Sequence, residues 1–557
     1  MTIDQIIQQI RINCPEIPNE FIVGTQQATA RFGNNTFGSP THIDLAVTIT
    51  KAQQVGEILK IANQAGFAVC PLSTGNNWGY GSVNPTDHRK LLILNMKELN
   101  KIAEIDKASG LISLEPGVTQ QQLAQYLAEN NWPFMAPVTG AGPSCSIVSN
   151  ALERGYGPNP QTDHFSAITS LRYFIAHPEH CHQEHYSAIT SLDGDCDKAC
   201  DCVEPCHCQA GLSVVDASHK WGLGPYIDGL FSQSNLGIVT RATLRLAPIP
   251  EKFCSFFIKC KRDEDFGLAT AFIKKLFIAK GGELGIVNLM DKRRIISMVA
   301  ENPNGKDQHI VMSDEQIATI TKKYDVAEWM IMGSIYSTKE SLKGTKQFIK
   351  KHAKFADDLL FSDSIKLPIA RVLTKFIMKE RRSQLDALPL SINIMLGKPN
   401  RVALRLAYWR NPRVEGVITD NLRPDIDQCG LLWYAPLVPM NTQKMTEFAQ
   451  FVRATTPQFG IEPFITFTNL SYDYVDSTIP IVFDLNNPHA VEQAHRCLDT
   501  LFDEGIKKGF VPYRLNTSQQ KTKLDPKAPH WQITNLIKQA LDPNNVINPE
   551  RYNPRKV

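Results

Sequence analysis

The chain has no apolar stretch long and uncharged enough to span a bilayer. Its first residues, MTIDQIIQQIRINCPEIPNEF, lack the basic start and apolar run of an export signal. Cytoplasmic residence without a membrane partner is the expectation. A long basic run is missing too, and the net charge is only +3, so the electrostatic footprint of a nucleic-acid binder is absent. There is no HExxH or nucleophile-elbow motif, and His42, His88 and His530 stand isolated, which argues against hydrolase chemistry. What is present is 557 residues, 43% of them hydrophobic, enough for two or three packed domains of an enzyme.

The most informative segment is CPLSTGNNWGYGS, Cys70 to Ser82. Gly75, Gly79 and Gly81 permit tight turns whose backbone N–H groups can converge on an anion, and Tyr80 sets a phenol beside them. A strand over Leu45 to Thr50, a helix from about Lys51 to Ala65 stopped by Gly66, and a strand over Phe67 to Leu72 lead into this loop. The loop then runs through Pro85 into another aliphatic strand, Leu91 to Met96. That setting excludes a Rossmann motif, whose glycines must open a helix.

Leu111 to Glu115 reads as a further short strand, and Thr119 as the cap of a helix over TQQQLAQYLAEN. PVTGAGPSCSIVSNALERGYG supplies a second glycine-rich crossing at Gly140 and Gly142. Alternating segments around Phe253 to Ile258, Ser391 to Leu396, Val402 to Tyr408 and Ile481 to Phe483 predict a mostly antiparallel sheet in the second half, a separate domain. HFSAITSL at His164 to Leu171 recurs as HYSAITSL at His185 to Leu192. Two copies at so short a period mark an insertion rather than a repeat fold.

Of 13 cysteines, Cys14, Cys145, Cys254, Cys429 and Cys497 are scattered like ordinary buried thiols, while six crowd between Cys181 and Cys208. With His182 and His207 these could form a zinc site, a redox cluster or a metal-free insertion. Adjacent C-x-C pairs match no established ligand spacing, so no metal ligands are assigned.

STGNNWGYG, NALERGYGPNPQTDH, WGLGPYIDGLFSQSNLGIVT and GLLWYAPLVP, followed by PYR and LDPNNVINPERY, resemble in order the flavoprotein family of vanillyl-alcohol oxidase and 4-cresol dehydrogenase. The resemblance spans nearly the whole chain. It implies an α+β fold in which a two-part FAD-binding domain, residues 1–245 with a cysteine-rich insertion at about 177–210, is completed by a C-terminal return at 500–557. An antiparallel-sheet cap or substrate domain fills 246–499.

The resemblance also implies roles. Ser73, Thr74, Gly75, Asn76, Asn77 and Gly79 become the pyrophosphate cradle, with Ser146, Asn150, Ile238, Val239 and Arg551 as further FAD contacts. Tyr80, Tyr513 and Arg514 become a phenolate-binding trio and Asp163 the acid beside the reactive flavin nitrogen. Two phenolic donors and a guanidinium suit a phenolate, so the expected substrate is a para-alkylphenol that loses hydride from its benzylic carbon. Leu431 stands where relatives with a covalent flavin carry His or Tyr, which predicts noncovalent FAD. Three alternatives stay open. The substrate can be a para-substituted phenol; it can be a hydroxy acid or a specialised-metabolite alcohol or amine; or the chain can be a noncatalytic flavin-binding partner protein. The electron acceptor, oxygen or a carrier protein, is likewise open, and a homodimer is compatible with the resemblance.

Overall fold

The computed structural model describes residues 1–555 apart from 39, 82, 161–162, 187–213, 222–223, 306–307, 364–381 and 412–421. The cysteine cluster from Cys196 to Cys208 and most of the second HYSAITSL copy therefore lie outside the described residues. Cys14, Cys145, Cys254, Cys429 and Cys497 are all buried. Among the described residues, no helix is long and apolar enough to cross a membrane.

The first half builds a four-stranded and a five-stranded sheet. Leu45–Thr48, Leu91–Asn95 and Ala68–Leu72 run parallel, with Ile22–Gly24 antiparallel at one edge. The central strand LLILN is buried throughout, as a parallel strand covered on both faces requires. Helix Gln54–Ala65 makes the crossover and ends at Gly66, whose φ of 72° is left-handed. The second sheet is antiparallel, ordered Ile102–Asp106, Leu111–Leu114, Ile238–Arg245, Ile168–Phe174 and His185–Tyr186. Thr119 caps helix Gln120–Glu129 through a reciprocal box with Gln122.

The second half is dominated by an antiparallel sheet. Its core strands are Lys252–Cys260, Trp329–Ser337, Leu284–Asp291, Thr466–Asn469 and Tyr474–Asp484, with Cys429–Tyr434 also paired to the last. Two expected strands are not strands. Ser391 to Leu396 belongs mostly to helix Arg382–Met395, because Ile392 and Met395, three residues apart, bury together against Phe253 and Tyr336. Val402–Tyr408 is a 3-10 helix: Asn400 Oδ1 accepts the Val402 N–H at 3.1 Å, and Leu404 and Ala407 share the buried side. Short alternation in these two segments could not distinguish a strand from a tight helix.

The C-terminal segment touches both halves. Val69 N–H donates to Val546 at 2.8 Å and Asn548 N–H donates back to Val69 at 2.9 Å, so Ile547 lies beside the first sheet. Val511–Pro512 pairs with Pro436 and Leu437 at the edge of the large sheet. Buried Lys538 anchors the return by donating to Asp542 Oδ2 at 2.6 Å and to the Ile547 carbonyl at 3.0 Å.

Candidate active site

A cavity of about 410 Å³ opens where the two glycine-rich loops, the large sheet and the C-terminal return converge. Pro71 to Trp78 form one wall and Thr139 to Ala141 with Cys145 and Ser146 another; Leu431 and Trp433 come from the large sheet, and Tyr513, Arg514 and Arg551 from the return. Gly75 has φ 76°, which only glycine adopts freely. Hydrogen bonds lock the two loops together. Asn76 Nδ2 donates to Ser144 Oγ at 2.9 Å and to the Ala141 carbonyl at 3.3 Å, Ser146 N–H donates to Thr74 Oγ1 at 3.0 Å, and Ser149 Oγ donates to Ser73 Oγ at 2.8 Å. Ser146 caps helix Ile147–Leu152 and donates to the Pro116 carbonyl, while Asn150 Oδ1 meets buried His164 at 2.8 Å. Burial pushes that histidine down to about 4, so it stays neutral.

At the tail side sits a compact charged cluster. Arg514 Nη2 donates to Asn77 Oδ1 at 2.8 Å, and its guanidinium lies 3.8 Å from the centre of the Tyr80 ring. Glu153 bridges two cations, pairing with Arg514 at 3.5 Å and with Arg551 through a shorter contact. Burial opposes ionisation of Glu153, yet Arg551 and Arg514 outweigh it and hold the carboxyl below its usual range. Burial also opposes the charge of Arg514. Tyr80, Tyr513 and Glu153 around it nevertheless keep the guanidinium more firmly protonated than usual. The Tyr80 and Tyr513 phenols are raised by burial first, so both remain hydroxyl donors.

Beside this cluster is a second acid. Tyr156 lines the cavity with its ring 6.2 Å from that of Tyr513, and its hydroxyl donates to Asp476 Oδ2 and lies 3.3 Å from Thr478 Oγ1. Asp476 is 1% exposed, and its Oδ1 has no hydrogen-bond partner among the described residues. Burial pushes this carboxyl up to about 7, against the opposing pull of the Tyr156 hydrogen bond and the Arg514 charge.

Tyr80, Tyr513 and Arg514 thus meet in one cavity with Ser73, Thr74, Gly75, Asn76, Asn77, Ser146, Asn150, Ile238, Val239 and Arg551. Two expected site residues do not. Asp163 is exposed and off the cavity wall; its carboxylate accepts the Phe165 and Ser166 N–H groups at 3.0 and 3.2 Å, a local turn that explains an acid at this place in the motif. Gly79 gives its N–H to Thr36 Oγ1 at 2.9 Å, and a side chain there would strike Trp433, so it packs the loop against the large sheet instead of facing a cofactor. Glu153, Tyr156, Asp476 and Arg294 escaped the sequence reading. Glu153 and Tyr156 sit inside the quoted NALERGYG segment and could have been found there, whereas Asp476 and Arg294 carry no motif.

The donor set suits an anionic, aromatic cofactor: amides, hydroxyls and two arginines, with the one bridging carboxylate already paired. Buried donors Trp78 Nε1 and Arg514 Nε have no partner among the described residues, the mark of a site built for a polar ligand. Outside the cavity, a turn brings ligand atoms of His177, Glu179 and His180 within 4.8 Å of one another at the surface.

Residues 43–178 match the model of an FAD-binding domain family. The chain is 26% identical over 538 residues to the 1'-carboxy-chondrochloren decarboxylase of Chondromyces crocatus, covering 95% of this chain and 94% of that protein. It is 26% identical over 536 residues to the 4-cresol dehydrogenase flavoprotein subunit of Pseudomonas putida, covering 91% and 87%. Its fold matches the crystal structure of substrate-bound p-cresol methylhydroxylase with a TM-score of 0.82 at 22% identity, over 99% of this chain and 96% of that one. The FAD-binding domain, the large antiparallel sheet and these end-to-end matches agree: the chain is an FAD-binding protein similar over nearly its whole length to flavoproteins of the 4-cresol dehydrogenase type.

Proposed function

We propose that the protein oxidises a para-substituted phenol at its benzylic carbon, with FAD held noncovalently. The observation that carries this reading is the convergence of Tyr80, Tyr513 and Arg514 on the wall of the cavity that the glycine loops enclose. Ser73, Thr74, Gly75, Asn76 and Asn77 would hold the pyrophosphate, with Ser146, Asn150, Ile238, Val239 and Arg551 around the rest. FAD, when bound, supplies a two-electron oxidant. Tyr80 and Tyr513 donate to the substrate oxygen while Arg514 balances its charge, and the resulting phenolate makes the ring electron-rich. Loss of hydride from the para benzylic carbon then leaves a quinone methide that water can trap. Leu431 on the cavity wall has no heteroatom for a flavin bond, and the flavin is expected to stay in the supernatant when the protein is precipitated with acid; colour in the pellet would refute noncovalent binding.

Anaerobic mixing of FAD-loaded protein with a panel of 4-alkylphenols and hydroxy acids tests the substrate class. Bleaching of flavin absorbance by the phenols is expected, and bleaching by hydroxy acids alone would reject the reading. Reoxidation of the bleached protein by air or by an artificial carrier then separates oxidase from dehydrogenase behaviour.

Arg294 favours a second reading, a phenol that also bears a carboxylate. It lines the cavity from the cap side and forms no ion pair with a carboxylate among the described residues; its Nη1 donates only to Ser297 Oγ at 2.9 Å. Burial lowers it to about 10, which leaves it cationic at neutral pH. In this reading Arg294→Ala weakens reduction by 3-(4-hydroxyphenyl)propanoate far more than reduction by 4-ethylphenol, with FAD affinity measured alongside. Equal loss for both would reject it.

A further inference from the structure

The trio that would stabilise a phenolate contains no base to receive the phenolic proton. Tyr80 and Tyr513 are held in their hydroxyl form, and Arg514 is permanently protonated. Among the described residues, few other groups in or near the cavity could take on that task. Glu153 is committed to Arg514 and Arg551, His164 faces Asn150, and Asp163 lies outside. Cys145 is a thiol that burial pushes up to about 11. The Tyr156 and Asp476 pair is different. Tyr156 faces the cavity, its hydroxyl proton points to Asp476 Oδ2, and Asp476 keeps a buried oxygen without a hydrogen-bond partner among the described residues.

We propose that Tyr156 and Asp476 form the proton relay of this site, taking up the phenolic proton when substrate binds and holding it until product forms. The inference rests on the phenol reading above. In the step, the substrate O–H bond breaks and its electron pair stays on the substrate oxygen. The proton passes to the Tyr156 oxygen as the Tyr156 proton moves to Asp476 Oδ2. No oxidant or reductant enters, and the total charge is unchanged: a phenolate and a carboxylic acid replace a phenol and a carboxylate. The reverse transfer delivers the proton to the product oxygen once a neutral phenol is re-formed. Asp476 acts through Tyr156 and does not touch the substrate.

The surroundings suit the task. Thr478 Oγ1 also reaches the Tyr156 hydroxyl. The charged and titratable groups facing Asp476 are Arg514, Tyr156, Tyr80, Tyr513 and Tyr474. Its partners across the sheet, Leu437 and Thr468, are uncharged. Arg514 is therefore the one cation among these described groups, and it also balances the phenolate, which narrows the gap between a phenol and a buried carboxyl as proton holders. With its carboxyl near 7, Asp476 is mostly ionised at about pH 8 and ready to accept.

The test uses the oxidised, FAD-loaded protein and 4-chlorophenol, which has no benzylic hydrogen to lose. Ultraviolet absorbance reports whether the bound ligand is a phenolate, and calorimetry in buffers of different ionisation enthalpy counts protons released on binding, both at about pH 8. Wild type is expected to bind the phenolate with almost no proton released. Asp476→Asn and Tyr156→Phe, checked for unchanged flavin content, are expected either to bind the neutral phenol or to release about one proton to buffer. A phenolate bound with the same proton count in wild type and both variants would overturn the relay while leaving the phenol reading intact. Failure of wild type to bind 4-chlorophenol at all would overturn both.

Discussion

A lysine in place of Arg514 would keep a charge but lose the planar fork that meets Asn77 at 2.8 Å while stacking 3.8 Å from Tyr80. Arg514→Lys is therefore expected to slow anaerobic flavin reduction by a phenol about 100-fold, the scale of losing an oriented charge stabiliser. Stopped-flow bleaching of the flavin measures it, and a change of less than about threefold would remove Arg514 from the substrate site. Asp476 makes a prediction about stability. Its folded carboxyl titrates near 7, well above an unfolded aspartate near 3.9, so the native state binds the extra proton between those values. Stability from this group is complete below the unfolded value and is lost as pH rises through about 7, on the order of 4 kcal/mol across the window. Wild-type Tm should fall as pH rises from about 4 to 7 and level off above that, and Asp476→Asn, fixed in the neutral form, should flatten that fall; parallel curves would contradict the assignment. These two residues also show what a sequence can reveal. Tyr513-Arg514 is an adjacent polar pair in a recognisable segment, while Asp476 is one acid in a long strand whose meaning comes only from Tyr156, which is 320 positions away.

Among the elements, the glycine loop from Cys70 was legible because its constraint is local: a positive φ at Gly75, Gly79 and Gly81 demands glycine. Its direction was not. Gly79 turns toward Thr36 and Trp433 instead of the cavity, which depends on where the large sheet docks. Gly79→Ala should destabilise the protein by about 1–3 kcal/mol, from a strained φ of 80° and a collision with the Trp433 ring. Gly24→Ala is the control, because its φ of −75° is ordinary and nothing lies within 4 Å of the added carbon. Thermal denaturation compares the two, and equal Tm shifts would show that the loop can move off the sheet. The segments from Ser391 to Leu396 and from Val402 to Tyr408 show the opposite limit. Their alternation fits a strand, but Ile392 with Met395 and Leu404 with Ala407 have a helical spacing too, and packing decided between them.

At the scale of the molecule, the return of the chain after Val511 closes the site. It supplies Tyr513, Arg514 and Arg551 to the cavity and buries Val546 and Ile547 in the first core. Removing residues 543–557 is expected to abolish flavin retention and broaden the thermal transition, because it deletes Arg551 and strips the Val69 backbone of both partners. Gel filtration followed by flavin absorbance checks this, and full retention of FAD would show that the return is dispensable. The order of the motif segments made this closure readable, whereas the pairing of Glu153 with two arginines from that return was not, since it joins residues 361 and 398 positions apart. The cavity is proposed to activate its substrate as a phenolate. Anaerobic reduction of the FAD-loaded protein by 4-ethylphenol and by 4-ethylanisole, whose O-methyl group stops that oxygen from ionising, tests this most directly. Bleaching by the phenol and none by the ether is expected; equal bleaching by both, or by the ether alone, would show that phenolate formation is not needed.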